Sequence, residues 1–270
     1  MGNVAIIGLG AWSERFADWS ALARGLRTGA WDRNAVLQPA RIASRERRRA
    51  PKQVKMAIEV MSQACEMADL EPASVATVFS SAMGDMDITN YMCSALAMSP
   101  REISPTRFHN SVHNAPAGYW SIATGSHTPA SAISAYRYTA PMSFLEAAIQ
   151  AIEENVPVLV VTQETAAPVA LKDTCPTDTD FSAAILLAPS DRSTTPVATV
   201  RFTLRSEAAS WPHTPHDLAN AYSDHPGAGL LPLLAAIAMP GAERVPVRLT
   251  FPVSAGSSIE VVLSTGAADG

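Results

Sequence analysis

Two histidines four residues apart, His109 and His113, are each followed by an asparagine, Asn110 and Asn114. On a helix this spacing would put both imidazoles on one face and invite a zinc reading. The zinc-protease pattern, however, requires a Glu directly after the first His, where Asn110 stands, and the intervening Asn-Ser is poor helix sequence. Neutral imidazole beside side-chain amides suits a hydrogen-bonded polar network across an interface, with a self-contained turn as the alternative. The other histidines with chemical potential, His213, His216 and His225, fall in a His/Pro-rich stretch from Ser210 to Pro226 and read as loop or capping residues. The three cysteines, Cys65, Cys93 and Cys175, show no CxxC spacing and no adjacent His, so they read as reduced thiols rather than a disulfide frame or metal site. Gly8-Leu-Gly10 follows an apolar run, yet Ser13 replaces the third glycine of a dinucleotide fingerprint and no acidic partner follows at the right distance. There is no Gly-x-Ser-x-Gly elbow and no phosphate-binding loop.

Charge is unevenly placed. The chain carries a formal net charge of −5, which gives no reason to expect nucleic acid. Between Arg41 and Lys55, however, seven basic residues face a single acid, Glu46. Such a run is either a solvated helix start or a patch that steers an acidic partner. With 47% hydrophobic and 17% charged residues among 270, the chain can bury a large core and has little charged surface for a monomer, which points to a covered face. The start, Met1-Gly-Asn-Val-Ala-Ile-Ile-Gly, has no basic n-region, and no apolar run approaches the roughly 20 residues a membrane helix needs. A cytoplasmic chain without membrane insertion is expected.

The elements that must position these groups follow from periodicity. Val4 to Gly8 reads as a buried strand and Phe16 to Leu26 as a helix. From Gln53 to Ala68, Val54, Ala57, Ile58, Met61, Ala64, Cys65 and Ala68 recur on one helical face. Strands are predicted from Val75 to Ser80, Val158 to Thr162 and Ala183 to Ala188. Asp87 to Met98 reads as a helix with an exposed or partner-facing stripe. Ser143 with Glu146 has the form of a capping box opening a helix that runs to Glu154. Alternation of strands and helices implies a layered α/β sheet with parallel strands. Beyond Pro196 a strand (Val197 to Leu204), a helix (Ala228 to Met239, Pro232 in its first turn) and two β-rich runs (Val245 to Phe251, Ser258 to Ser264) are expected, then a frayed tail from Gly266 to Gly270.

The string Ser104-Pro-Thr-Arg-Phe-His-Asn-Ser-Val-His-Asn-Ala-Pro-Ala-Gly-Tyr-Trp-Ser-Ile, followed by Pro129-Ala-Ser-Ala-Ile-Ser-Ala-Tyr-Arg-Tyr and the strand Val158-Leu-Val-Val-Thr-Gln-Glu, resembles the β-ketoacyl synthase family. Asn114, Ala117-Gly118, Ile122, Pro129, Ile133-Ser134 and Ala147-Ala148 fall into register with its pattern. The string is most similar to the short, chain-length-factor-like ketosynthase homologues of aryl polyene clusters. The resemblance implies a thiolase-like condensing-enzyme fold with a complete first βαβαβ half (residues 1–188) and a truncated second half (196–265) in a single domain, 1–270. It also places the family's nucleophile slot on Arg137. A ketosynthase needs a thiolate to carry the acyl chain and two basic side chains, usually His, to promote decarboxylation. Arg137 cannot form a thioester. Cys175 lies in a polar loop after the strand that should follow the active-site helix. His225-Pro-Gly-Ala-Gly is a shortened form of the family's His loop.

The resemblance therefore implies the architecture without the chemistry: a subunit with no catalytic residue, no cofactor and no metal. Such a subunit would pair with a Cys-bearing β-ketoacyl synthase that elongates a chain on acyl carrier protein. It assigns His109, Asn110, His113, Asn114, Ser131, Ile133 and Ala135 to a dimer interface. Ile88, Tyr91, Met92, Leu96 and Phe108 become candidates for the wall of an acyl tunnel, and Arg45, Arg47, Arg48, Arg49 and Lys52 candidates for carrier docking. Two readings stand beside it: an independent acyl-thioester transferase or hydrolase using His109 or His113, and a homodimeric scaffold that binds acyl chains. For Arg137 itself, two placements are open: inside the pocket, bonded to a carboxylate or to backbone carbonyls, or on a shifted loop with its guanidinium facing solvent.

Overall fold

A computed structural model describes residues 2–100, 102–175, 177–191, 195–239 and 245–265. Its centre is an eight-stranded sheet made of β1 (Gly2–Trp12), β2 (Ala76–Ser80), β3 (Ala130–Ile133), β4 (Val158–Glu164), β5 (Phe181–Pro189), β6 (Ala198–Arg205), β7 (Val247–Pro252) and β8 (Ser258–Thr265). The strand order is β3-β2-β4-β5-β1-β6-β8-β7. Side chains alternate between two cores. Val158 and Val160 of β4 enter one, and Leu159 and Val161 the other. Near-continuous apolar runs in β4 and β5 thus mark strands buried on both faces.

Nine helices cover this sheet among the described residues: α1 (Trp19–Thr28), α2 (Ser44–Arg47), α3 (Lys52–Met67), α4 (Met86–Ala97), α5 (Pro105–His109), α6 (Ala115–Thr124), α7 (Thr139–Glu153), α8 (His216–Tyr222) and α9 (Leu231–Ala238). Helices α3 and α6 contribute to one core, and α1, α7 and α9 to the other. The predicted stripe of α3 is buried, with its last member, Ala68, only partly covered. The glycines taken as a weak nucleotide signal serve this packing. A Cβ on Gly8 or Gly10 would run into the carbonyl oxygens of Ala64 and Val60, so α3 lies directly on the backbone of β1.

The sheet is mixed rather than parallel. β2 pairs in parallel with β3 and β4, because helical crossovers (α4 to α6, and α7) return the chain to the same end. No α-helix separates β4 from β5, so β5 comes back antiparallel, and the remaining pairs, β5 with β1, β1 with β6, β6 with β8 and β8 with β7, are antiparallel too. Beyond β5 the chain extends the same sheet past β1 with β6, β8 and β7.

Three helix starts differ from the sequence reading. α1 begins at Trp19, where the Asp18 carboxylate accepts from the Ala21 N–H at 2.7 Å. The Ser143–Glu146 pair is not a capping box. α7 starts at Thr139 with Pro141 in its first turn, where a missing N–H costs nothing, and Ser143 is fully buried with its hydroxyl donating to Ala140 O at 2.8 Å. The expected helix over 228–239 is interrupted: a 3-10 turn, Pro226–Ala228, precedes α9. The tail from Gly266 to Gly270 lies outside the described residues. No described helix is long and apolar enough to cross a membrane.

Candidate functional site: a vacated slot, a buried carboxyl and a basic groove

The turn between β3 and α7 carries Arg137, the residue onto which the resemblance places the nucleophile position. It tightens into a 3-10 turn, Tyr136–Tyr138, and Tyr136 adopts a positive φ of 52°. For an aromatic residue this left-handed backbone is strained and marks a turn held by its surroundings. The Thr139 hydroxyl supplies part of that hold, accepting from the Ala135 N–H at 2.9 Å and donating to Tyr136 O at 2.6 Å. Arg137 is exposed, its guanidinium 5.9 Å from the Tyr136 ring centroid, and it has no carboxylate partner among the described residues. The solvent-facing alternative for this residue is the one observed.

Arg137 stands on a cavity of about 270 Å³ lined also by Met83, Tyr136, Cys175, Trp211 and His225. Sequence reasoning kept Cys175 and His225 apart from the slot; the fold brings all three to one wall. The Cys175 thiol is buried 3.4 Å from the Met83 sulfur. Burial, with Glu164 nearby, pushes its pKa up, so it stays protonated and weakly nucleophilic. His225 lies, as expected, in the loop between α8 and the 3-10 turn Pro226–Ala228, but its ring is in the core. It packs edge-on against Phe181 and Tyr222 and is 5% exposed. Its Nε2 lies 3.0 Å from Thr179 O, and because a carbonyl only accepts, Nε2 carries the proton. Burial pulls this imidazole down to about 4, so it is neutral near pH 7. His213 and His216 are exposed.

Behind the cavity wall sits Glu164, 1% exposed at the end of β4. Its carboxyl accepts from the Ala82 N–H and from the Ser81 hydroxyl at 3.1 Å. Ser81 Oγ in turn accepts from Gln53 Nε2 at 2.8 Å and the Gly84 N–H at 2.9 Å, so its proton is left for the carboxyl. Burial pushes Glu164 up to about 8 against the pull of these donors. The residue terminated a predicted strand in the sequence; nothing local announced its burial.

The histidine loop connects to the same turn. His113 Nε2 lies 2.9 Å from Ser81 O, so its ring is engaged within the chain. Asn110 is buried, whereas His109 and Asn114 are exposed. Among the described residues no group of three or more His, Cys, Asp or Glu is arranged to hold a metal. A second, larger hollow of about 720 Å³ joins this loop to the basic segment, with Arg41, Arg49, His109, Asn110, Asn114 and Ile122 among its walls. Arg45, Arg48 and Arg49 are exposed. Arg47 is turned inward, donating to Ile42 O at 2.9 Å, and Lys52 is ion-paired with the buried Asp180. These two cations hold the fold together at the base of the patch.

β3 is an edge strand, with Ser131, Ile133 and Ala135 half-buried. Large apolar side chains lie bare on the helices that precede it in the chain: Phe108 of α5 is 61% exposed, and Ile122 of α6, the helix that packs beside β3, is 81% exposed. Of the tunnel candidates, Ile88 is buried, and Tyr91 is half-buried under the Arg107 guanidinium at 4.1 Å, its hydroxyl accepting from the Ser104 N–H. Met92 is half-buried and Leu96 exposed. None of the five lines either cavity described above.

Comparison with known proteins gives a consistent picture. No curated protein matches the chain. Among solved structures, a chain of the ketosynthase (ApeO) in complex with its chain length factor (ApeC) from Xenorhabdus doucetiae superimposes with a TM-score of 0.68 at 19% identity, over 97% of this chain and 99% of that one. The ishigamide ketosynthase/chain length factor gives 0.75 at 13% identity, covering 98% and 100%. A beta-ketoacyl synthase from Burkholderia phymatum STM815 gives 0.71 at 12%, covering 99% and 100%. At these identities the likeness establishes the thiolase-like fold. The family described as "Beta-ketoacyl synthase, N-terminal domain" matches residues 17–225. Eight-stranded mixed sheet, strand–turn–helix slot and family match agree: the chain is a member of the β-ketoacyl synthase family.

Proposed function

We propose that this chain is a non-catalytic, chain-length-factor-type subunit, of the kind found in aryl polyene clusters, that pairs with a Cys-bearing β-ketoacyl synthase in chain elongation on acyl carrier protein. The observation that carries this reading is the state of the turn between β3 and α7: an exposed arginine at the strand–turn–helix junction, on a cavity whose thiol is buried against Met83 and whose imidazole donates to a backbone carbonyl. A thioester-forming centre needs a thiolate within reach of a base, and neither condition is met. The bare edge of β3 with exposed Ile122 on the neighbouring α6 supports a partner on that side, and His109 and Asn114, which share a hollow with Ile122, would lie at its border. Arg45, Arg48 and Arg49 are free to steer an acidic carrier protein. Residues 1–270 act as one domain in this reading.

The test is reconstitution. The chain is co-expressed with a Cys-bearing ketosynthase from its own host, and elongation of an acyl group on carrier protein is followed by mass spectrometry. Elongation should require both chains, vanish when the partner's cysteine is replaced, and be absent from this chain alone. Turnover of acyl thioesters by the isolated chain that is lost on His113→Ala would establish an independent enzyme instead.

A further inference from the structure

Past β1 the sheet turns one face to the core and the other to solvent. Val200 and Phe202 of β6 and Ile259, Val261 and Leu263 of β8 pack inward, on the side of α9. Between them, Thr199, Arg201 and Arg205 of β6, Glu260 and Ser264 of β8 and Arg248 of β7 stand on the opposite face, exposed or half-buried. The three arginines of this face are held differently. The Glu260 carboxylate accepts from Arg205 at 3.1 Å and from Arg248 at 2.6 Å, whereas Arg201 has no carboxylate partner among the described residues. In register, Arg201 sits beside Asn3 of β1, and Thr199, its neighbour on the same face, sits beside Ser264. Together with Ser190, these residues line a hollow of about 280 Å³. One guanidinium, one amide and three hydroxyls thus meet there, and no acid lines the hollow among the described residues; Asp191, next to Ser190 in the chain, is exposed and lies outside it.

We propose that this hollow binds a single phosphate group, free or as a small monoester, with its oxygens on the Arg201 guanidinium and on donors from Asn3, Ser190 and Ser264. A guanidinium offers a planar fork of N–H donors that matches phosphate oxygens, and amide and hydroxyl groups can serve the oxygens left over. The charge count sets the size of the ligand. Arg205 and Arg248 are already spent on Glu260, so the face has one free cation, enough for one phosphate and too few for a nucleic-acid backbone, which needs a run of them. The hollow is also remote from the Arg137 turn. It lies at the end of the strands where Val4 faces Pro189, and Glu164 faces Phe181 at the other end. Strands β2, β4 and β5 separate it from the β3 edge, so the site stays open whichever partner that edge takes.

The experiment is an NMR titration of the full chain with inorganic phosphate, glycerol 3-phosphate and acetate, at an ionic strength held constant with chloride. Phosphate should shift the amide signals of Asn3, Thr199, Arg201 and Ser264 and saturate, and acetate, with two oxygens instead of a tetrahedral set, should bind at least about tenfold more weakly. Tighter binding of glycerol 3-phosphate than of phosphate would make the ligand an ester and weaker binding the free ion; either supports the site. Arg201→Gln, a change at an exposed residue, should weaken phosphate at least about tenfold without moving the melting temperature of the unliganded chain. Arg248→Gln removes a charge already held by Glu260 and should change the affinity less than about twofold. The proposal is overturned if these signals do not move, if acetate binds as well as phosphate, or if Arg201→Gln binds like the parent chain. Equal losses in Arg201→Gln and Arg248→Gln would likewise overturn it, because they would show diffuse attraction of anions to the face rather than a site.

Discussion

The carboxyl of Glu164, at the last residue of β4, and the hydroxyl of Ser81, one residue past β2, meet at 3.1 Å, tying two neighbouring parallel strands together where they open onto the slot. Because Ser81 O also takes the proton of His113 Nε2, the tie reaches from the sheet to the loop at the proposed interface.

This tie has a pH signature. Glu164 is pushed from the ordinary carboxylate range up to about 8, so between those values the folded chain holds a proton that the unfolded chain has released. Its contribution is full below the unfolded pKa and is lost as pH rises through about 8. Urea unfolding should show stability falling with pH between about 6.5 and 8, where His225 no longer offsets it, by an amount on the order of 2 kcal/mol, and Glu164→Gln should flatten this limb.

His225 gives the opposite limb. Its folded pKa of about 4 lies below the ordinary histidine value, so below roughly pH 6.5 the unfolded chain takes up a proton that the folded chain refuses. Stability is present above that value and is lost as pH falls toward about 4, by on the order of 2–3 kcal/mol. Because Glu164 acts in the opposite direction over the same range, the comparison of pH 7 with pH 5 is made in a Glu164→Gln background, which should show the loss, and a much smaller one once His225→Gln is added.

Glycines on the two sides of the molecule should behave oppositely. Gly8→Ala or Gly10→Ala forces a methyl group into the backbone of α3, and a loss of about 2–3 kcal/mol or more is expected from a thermal melt. Gly118→Ala, in the interior of α6 with nothing within 4 Å of the added carbon, should instead gain about 0.5–1 kcal/mol from helix propensity.

At the proposed interface, Ile122→Asp changes a side chain that is 81% exposed and should move the stability of the isolated chain by less than about 0.5 kcal/mol. Association with the Cys-bearing ketosynthase, measured by co-purification and analytical ultracentrifugation, should weaken at least tenfold, the effect of burying an uncompensated charge. Unchanged association would remove α6 from the contact.

What the sequence made legible was local and periodic. The α3 stripe, the β4 and β5 runs and the strand–helix–strand order around Arg137 could all be read, because each is set by spacing within one element. The antiparallel return of β5 was missed, since nothing in a doubly buried strand records its direction. Ser143 misled because Ser-x-x-Glu is equally compatible with a hydroxyl bonding back inside a helix, as it does to Ala140 O. The assembly of Arg137, Cys175 and His225 at one cavity, and the pairing of Lys52 with Asp180, depend on contacts between residues far apart in the chain, which composition and spacing do not encode.

β3 has a further consequence for how this polypeptide can be made. Its outer row of peptide groups is the kind of surface to which any extended segment can add, and its side chains, Ala130, Ser131, Ala132 and Ile133, put neither charge nor proline in the way. A copy released from the ribosome with nothing beside it is therefore exposed to self-adhesion. If the chain pairs as proposed, the yield of well-behaved material should track the ratio at which it and its partner are translated, with surplus copies of this chain collecting in the insoluble fraction and matched synthesis keeping them in solution.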